Sequence, residues 1–266
     1  MITGMDNTFQ HAFKVQQRVI WALMLRESKT LFGKHKLGYL WAVIQAAFQI
    51  SVFWVIREVA GVQAPHGMST PVFLLGGFVP WFIFSNGITN GMNAINGNRA
   101  LLTYPQVSPL DLLMARTLLQ GAMQTLVLVV LLIASCAMGQ EVSIETPHVI
   151  LAALLLALIL GLGGGMICSA FNLIWPATEQ LVPMLLRILF FTSGLFFSMV
   201  DLPASVQGIL SLNPLTHVIE MMRQGFVSGY GEQFISVIYA FSFSLSILTI
   251  GLLLERYARR YLDRLI

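Results

Sequence analysis

Apolar residues recur at intervals of three, four or their sums near the start of the chain, at Phe9, Phe13, Val19, Ile20, Leu23, Met24 and Leu31. Lys14, Gln17, Arg18 and Glu27 fall largely between them. The period is helical, and a basic amphipathic helix of this kind lies in a membrane surface, its apolar side among acyl chains and its cations near anionic head groups. Gly33 lets the chain turn, and 37–56 then runs without a charge for long enough to cross a bilayer. Five more charge-poor segments follow, at 72–95, 112–138, 149–173, 180–200 and 233–254. Each is near the ~20 residues that a spanning helix needs. The pattern predicts an all-α integral membrane protein, with an interface helix over 1–33 and a six-span domain over 34–266.

Composition agrees. The chain of 266 residues is 56% hydrophobic and 10% charged, with a mean hydropathy of +0.77, more apolar surface than a soluble domain of this length requires. Residues 1–18 are charged and polar where the apolar run of a cleavable signal would lie, so none is expected. A net charge of +3 is too small to suggest nucleic acid as a partner. Its distribution is more telling. Lys14, Arg18, Arg26, Lys29, Lys34 and Lys36 precede the first span, Arg99 and Arg116 flank the loop between spans 2 and 3, and Arg256, Arg259, Arg260 and Arg264 follow the last span. The loops at 61–71 and 139–148 contain no Lys or Arg. The positive-inside rule therefore puts both termini and the 2–3 loop in the cytoplasm.

Two connections stand apart. The 2–3 loop carries Leu101, Leu102, Tyr104 and Val107 where water favours polar groups, with Pro105 and Pro109 holding it to short stiff pieces. Apolar clusters of this kind mark partner-binding surfaces, or else dip into the membrane interface. On the far side, 201–232 is long. Within it Asn213-Pro214 reads as a cap and first helical residue, leading into Leu215, Val218, Ile219, Met222 and Phe226. This spacing predicts a short helix with an apolar face, either re-entrant or lying on the outer surface.

Chemistry-bearing motifs are sparse. The sequence has no G-x-x-x-x-G-K-[ST] loop, no H-E-x-x-H and no C-x-x-C, and its five histidines are scattered. Cys136 and Cys168 sit in apolar segments as small hydrophobes. The chain is therefore expected to be no enzyme by itself, to hold no metal and no cofactor, and to draw energy from a partner or an ion gradient. Inside the spans, Arg187 is the clear ionisable residue, about 12 Å from Glu179 along a helix. It either meets an anionic cargo or lipid phosphate or snorkels to the interface. Asn86, Asn90 and Asn93 form one stripe that serves either sugar hydroxyls or neighbouring helices. Trp41, Phe48, Phe190 and Phe191 belong to a dense aromatic set that offers either a sliding surface for sugars or plain packing. Gly87-x-x-x-Gly91 and Gly161-x-Gly163-Gly164-Gly165 permit close helix approach.

The junction Arg26-Glu27, Thr30, Phe32-Gly33-Lys34, Leu37-Gly38-Tyr39 and Trp41 resembles the start of the type-2 ABC exporter permeases. Within that family it is most similar to permeases of capsular polysaccharide exporters. The resemblance implies a homodimer served by two copies of a separate ATPase, which binds the ATP and Mg. The implied cargo is a lipid-linked acidic polysaccharide crossing a Gram-negative inner membrane, with membrane lipids and periplasmic and outer-membrane capsule export proteins as further partners. It also implies that Leu101, Leu102, Tyr104, Pro105 and Val107 form the helix that docks on the ATPase. The conduit would contain Arg187, Asn86, Asn90, Asn93, Trp41, Phe48, Phe190 and Phe191. Asn213, Pro214, His217, Glu220 and Arg223 would form an external re-entrant element. The sequence departs from the family pattern where Glu-Pro often follows in span 1; here Ile44-Gln45-Ala46 stands. Other cargoes remain open: O-antigen, teichoic acid or a small lipophilic compound. An ion-coupled carrier fits less well, since the spans lack paired acids.

Overall fold

A computed structural model describes residues 3–32, 38–104 and 106–262. Among these residues the fold is all helical, with nine α-helices and no strand. They are α1 (Thr3–Phe32), α2 (Gly38–Val59), α3 (Thr70–Met92), α4 (Pro109–Ala137), α5 (Pro147–Ile174), α6 (Thr178–Thr192), α7 (Ala204–Leu210), α8 (Pro214–Gln224) and α9 (Val237–Leu262). Five carry stretches long and apolar enough to cross a membrane: Leu40–Val59, Thr70–Met92, Pro109–Ala137, Pro147–Ile174 and Val237–Ala258. They match five of the six expected spans to within a few residues.

The segment expected as a continuous span at 180–200 is different. Helix α6 stops after 15 residues, about 22 Å against a hydrocarbon core of ~30 Å. The chain then turns through Gly194 at φ +78°, a left-handed conformation that disfavours any side chain. The Ser193 hydroxyl donates to Leu189 O at 2.5 Å and accepts from Asn213 Nδ2 at 2.9 Å, so the break is held by polar groups.

Helix α3 is the central post, with 72% of its apolar stretch buried, whereas α2 buries only 11%. Sequence explains the contact of α3 with α5. A Cβ on Gly87 would lie 3.0 Å from Gly161 Cα, and one on Gly165 would lie 2.7 Å from Gly87 O. The two backbones therefore touch without intervening side chains. On its other side α5 meets α9, where a Cβ on Gly251 would sit 2.8 Å from Gly163 O. The glycine run thus serves two neighbours at once.

Polar contacts tie each end of the bundle. At one end Ser69 Oγ donates to Glu141 O at 3.0 Å, Thr146 Oγ1 to Gln224 O at 3.2 Å, and Arg57 Nη1 to Phe196 O at 2.6 Å. At the opposite end α1 lies against α4. Glu27 pairs with Arg116 at 2.5 Å, Arg26 donates to Asn98 Oδ1 at 3.3 Å, and Gln16 donates to Asp111 Oδ1 at 3.3 Å. Leu23, Ala94, Ile95, Leu112 and Leu113 form a small separate core there. The N-terminal helix is thus keyed to the start of α4 and to the 2–3 loop. The turn expected at Gly33 lies outside the described residues.

Candidate functional site

Three places gather the chemistry-bearing residues. The first is α8. Asn213 caps it as expected, accepting from Leu215 N at 3.1 Å, with Pro214 as the first helical residue. The apolar face Leu215, Val218, Ile219, Met222 and Phe226 is buried. So is the polar one: Thr216, His217, Glu220 and Arg223 all lie inside. The ordinary surface helix is therefore excluded. Arg223 is wholly enclosed, with its guanidinium over the Phe73 ring at 3.7 Å. It donates to Glu220 Oε1 at 2.9 Å, to Leu195 O at 2.9 Å and to Phe197 O at 3.1 Å. Gly76 and Gly77 of α3 leave the room, since a Cβ on either would meet the Arg223 side chain at 2.9–3.0 Å. His217 has both ring nitrogens against backbone oxygens, Phe234 O at 3.0 Å and Ser211 O at 2.8 Å. Of the five residues expected together, His217, Glu220 and Arg223 form the polar interior of a packed helix, and Asn213 and Pro214 begin it partly buried. Tyr230, whose hydroxyl donates to Ser198 Oγ at 2.7 Å, and Arg57 belong to the same end and were not singled out from sequence.

The second place is a cavity of about 560 Å³ bounded by α2, α3 and α4. Trp41, Asn86 and Asn90 line it, as the sequence suggested for a conduit. Beside them are Gln45 and Gln49 of α2, Ser85 of α3, and Gln120 and Gln124 of α4, which the sequence reading passed over. Spacings of four on α2 and α4 place each Gln pair on one face, and this was the signal available. The other expected conduit residues lie elsewhere. Asn93 follows the end of α3 and donates to Thr89 O at 3.3 Å. Phe190 packs with Trp81 at 5.4 Å and with Phe196 at 5.0 Å, inside a cluster that includes Phe53 and Phe78. Phe191 and Phe48 are exposed on the outside of the bundle. Arg187 is exposed too, on the face of α6 that presents Met184, Leu185 and Ile188, and it does not border the cavity.

The third place is the α1 end. Leu101, Leu102 and Val107 are half-buried against the small core there, packing the loop onto the bundle. Tyr104 is exposed and borders a groove with Val19, Ala22, Leu23, Arg26, Gln106 and Val107. Pro105 lies outside the described residues. The apolar cluster is thus divided: three residues anchor the loop, and one faces outward.

Five helices long and apolar enough to cross a membrane, an N-terminal helix keyed to the 2–3 loop and a buried polar helix at the opposite end define a polytopic membrane protein. Residues 18–227 match the model of the ABC-2 type transporter family. The chain belongs to that family. It is 34% identical to the polysialic acid transport protein KpsM of Escherichia coli over 244 residues, which cover 92% of this chain and 95% of that protein. It is 28% identical to the capsule polysaccharide export inner-membrane protein CtrC of Neisseria meningitidis, with 92% of each chain covered. Likeness to the O-antigen export system permease protein RfbA of Klebsiella pneumoniae is 22%, over 80% of this chain and 82% of that one.

Proposed function

We propose that this chain is the permease subunit of an ATP-driven exporter that moves lipid-linked capsular polysaccharide across the bacterial inner membrane. The likeness to KpsM along nearly the full length of both chains carries this reading. The lower likeness to RfbA makes O-antigen the second choice of cargo. In this reading two copies of the chain assemble with two copies of a separate ATPase, which holds the ATP and Mg. Both termini and the α1 end face the cytoplasm. Helix α5 ends on that side, while α9 starts beside α8 on the other, with Tyr239 donating to Leu212 O. The chain between them therefore crosses once more, through α6 and the turn at 193–203, making six crossings in all with α8 re-entrant. Tyr104 and the groove beside it receive the ATPase, and Leu101, Leu102 and Val107 pass its movement to α1 and α4. The exposed faces of α2 and α6, with Phe48, Phe191 and Arg187, border the conduit between two copies, where the guanidinium meets acidic groups of the polymer.

Deleting the gene and restoring it with wild type or Tyr104→Asp tests the proposal, with surface polysaccharide and copurified ATPase read from the same cells. The deletion is expected to abolish surface polysaccharide and the wild-type gene to restore it. Tyr104 is exposed, so Tyr104→Asp is expected to insert normally yet lose most of the ATPase and of export, because a charge buried at the docking surface has no partner. Normal surface polysaccharide in the deletion strain overturns the function. ATPase retained at wild-type stoichiometry by the variant overturns the docking site.

A further inference from the structure

The cavity between α2, α3 and α4 has a chemistry that the reading above leaves unused. Its polar lining is almost entirely carboxamide: Gln45, Gln49, Asn86, Asn90, Gln120 and Gln124, with Ser85 as the hydroxyl. Among the described residues no ionisable side chain borders it. Arg116, whose guanidinium donates to Asn90 O at 3.3 Å, is paired with Glu27 at 2.5 Å. Trp41 and Trp81 supply two indoles and Phe82 a ring. The volume lies within the ~300–1,000 Å³ of small-ligand sites.

One atom shows that the lining is not self-sufficient. Gln124 is 6% exposed, and its Oε1 has no hydrogen-bond partner. A buried amide oxygen without a donor costs free energy of the order of 1–3 kcal/mol, which packing alone gives no reason to keep. The contrast with neighbouring polar groups is sharp. Thr117, Thr125 and Ser135 on the same helix each donate back to the carbonyl four residues earlier. Gln124 instead adjoins a space of ligand size, and what it lacks is a donor.

We propose that this cavity is a binding site for an uncharged, hydroxyl-rich head group held at membrane depth, with a hydroxyl donating to Gln124 Oε1 and the remaining carboxamides pairing with the other hydroxyls. Amides both donate and accept, as hydroxyls do, so a ring of them satisfies a polyol without favouring either charge. Indole faces cover the apolar side of a sugar ring. An acidic group finds no cation among the described residues of the lining. The identification of the head group as part of the glycolipid cargo rests on the exporter reading; the hydroxyl chemistry does not. A second source of the same hydroxyl chemistry is the terminal glycerol of phosphatidylglycerol, taken with its phosphate outside the cavity.

The test uses the full-length chain in nanodiscs of phosphatidylcholine, whose head group has no hydrogen-bond donor. Trp21, Trp54 and Trp175 are replaced by Phe so that emission reports Trp41 and Trp81. Phytanyl β-glucoside is incorporated at graded mole fractions, its permethylated form serves as the donor-free control, and phosphatidylglycerol forms a separate arm. Emission is expected to shift saturably with the glucoside and not with the permethylated form. Gln124→Leu is expected to raise the half-saturating fraction about fivefold, the worth of one hydrogen bond of ~1 kcal/mol. Its thermal midpoint should hold or rise, since an unpaired buried amide is removed. A shift with phosphatidylglycerol alone, with the same dependence on Gln124, keeps the site and assigns it to bilayer lipid. Equal shifts with the permethylated form, no shift with any probe, no effect of Gln124→Leu, or a marked fall in its midpoint each overturn the site. Binding is read without export, so failure here leaves the exporter reading standing, and failure of the deletion experiment leaves this one readable.

Discussion

The polar groups of α8 and those of the amide cavity are both set in apolar surroundings, and they differ in what surrounds them. Arg223 spends its donors on Glu220 and on the carbonyls of Leu195 and Phe197, with Phe73 under its face. Every one of these partners belongs to the protein. In the cavity, Gln124 Oε1 has none. Glu220 Oε2 and Thr216 Oγ1 of α8 also lack hydrogen-bond partners, so the difference is that α8 is packed shut around its ion pair, whereas Gln124 borders an open cavity. The packing of the helices follows the same division. Helix α3, which builds both places, is the most buried of the five long apolar helices, and α2, which closes the cavity on one side, is the least. One region is a joint and the other a receptacle with a loosely held wall.

The largest effect is expected from breaking the joint. Arg223→Met removes the cation and leaves Glu220 and two carbonyls buried without their donor. Truncating one member of a buried pair costs roughly 3–5 kcal/mol. Little folded protein should be recovered from membranes in detergent, and its thermal midpoint should fall far below wild type. Replacing both members, as Glu220→Leu with Arg223→Met, should regain part of the loss, because no lone charge is left behind. A single Arg223→Met variant of wild-type stability would show that α8 is not held by this pair, and the comparison would fail at its stronger side.

A smaller loss is expected at the helix crossing that supports both regions. Gly165→Val puts side-chain atoms where Gly87 O already stands within 2.7 Å of a Cβ. Overfilling a close contact costs roughly 1–3 kcal/mol as the helices move apart. Export should fall with stability here, in contrast to Gln124→Leu, where binding should fall and stability should not. A thermal midpoint series over the two variants separates a packing role from a ligand role.

The two regions also differ in how far residues alone reveal them. Helix α8 was legible because its signals are local: Asn213-Pro214 sets the start, and apolar residues three and four apart set one face. That its polar face is equally buried depends on Gly76 and Gly77, some 140 positions earlier, and no local pattern reports a pairing at that distance. The cavity was half legible. The asparagine stripe is visible because three carboxamides share one helix face, whereas Gln45 and Gln49 come to line one cavity with Gln120 and Gln124 only once α2 and α4 stand side by side. Hydropathy located five spans well and misread 180–200 as one unbroken helix. Phe190 to Val200 is apolar enough to continue a span, and the break comes from one left-handed glycine and hydroxyl contacts that hydropathy does not weigh. Leu101, Leu102 and Val107 stand out as a partner-binding surface or an interface contact because they are apolar in a loop expected to face water. The α1 helix that covers them is distant in sequence.

The smallest effect tests whether the joint has an outer fastening that is separate from its buried one. Ser228, just beyond α8, donates to Glu145 Oε2 through its backbone N at 2.8 Å and through its hydroxyl, binding the α4–α5 loop to the α8 segment. The Ser228 hydroxyl first, and then its amide, hold the Glu145 carboxyl below the usual glutamate range. A carboxylate with a lowered folded-state value stabilises the fold fully above its unfolded value, near 4.3. That contribution is lost as pH falls through the unfolded value toward the lower folded one. Between neutral pH and about 5 the loop should therefore stay fastened, and below about 4 the Ser228 amide should lose protection relative to its intrinsic exchange rate at the same pH. Glu145 is solvent-exposed, so the effect on global unfolding should be slight and should shrink further in high salt. Glu145→Gln should remove the acid-dependent step in Ser228 exchange while leaving the protection of the Arg223 amide unchanged. If the acid step persists in that variant, the fastening belongs to another group. If Arg223 loses protection together with Ser228, the outer and buried ties are one unit, and the α8 region opens as a whole.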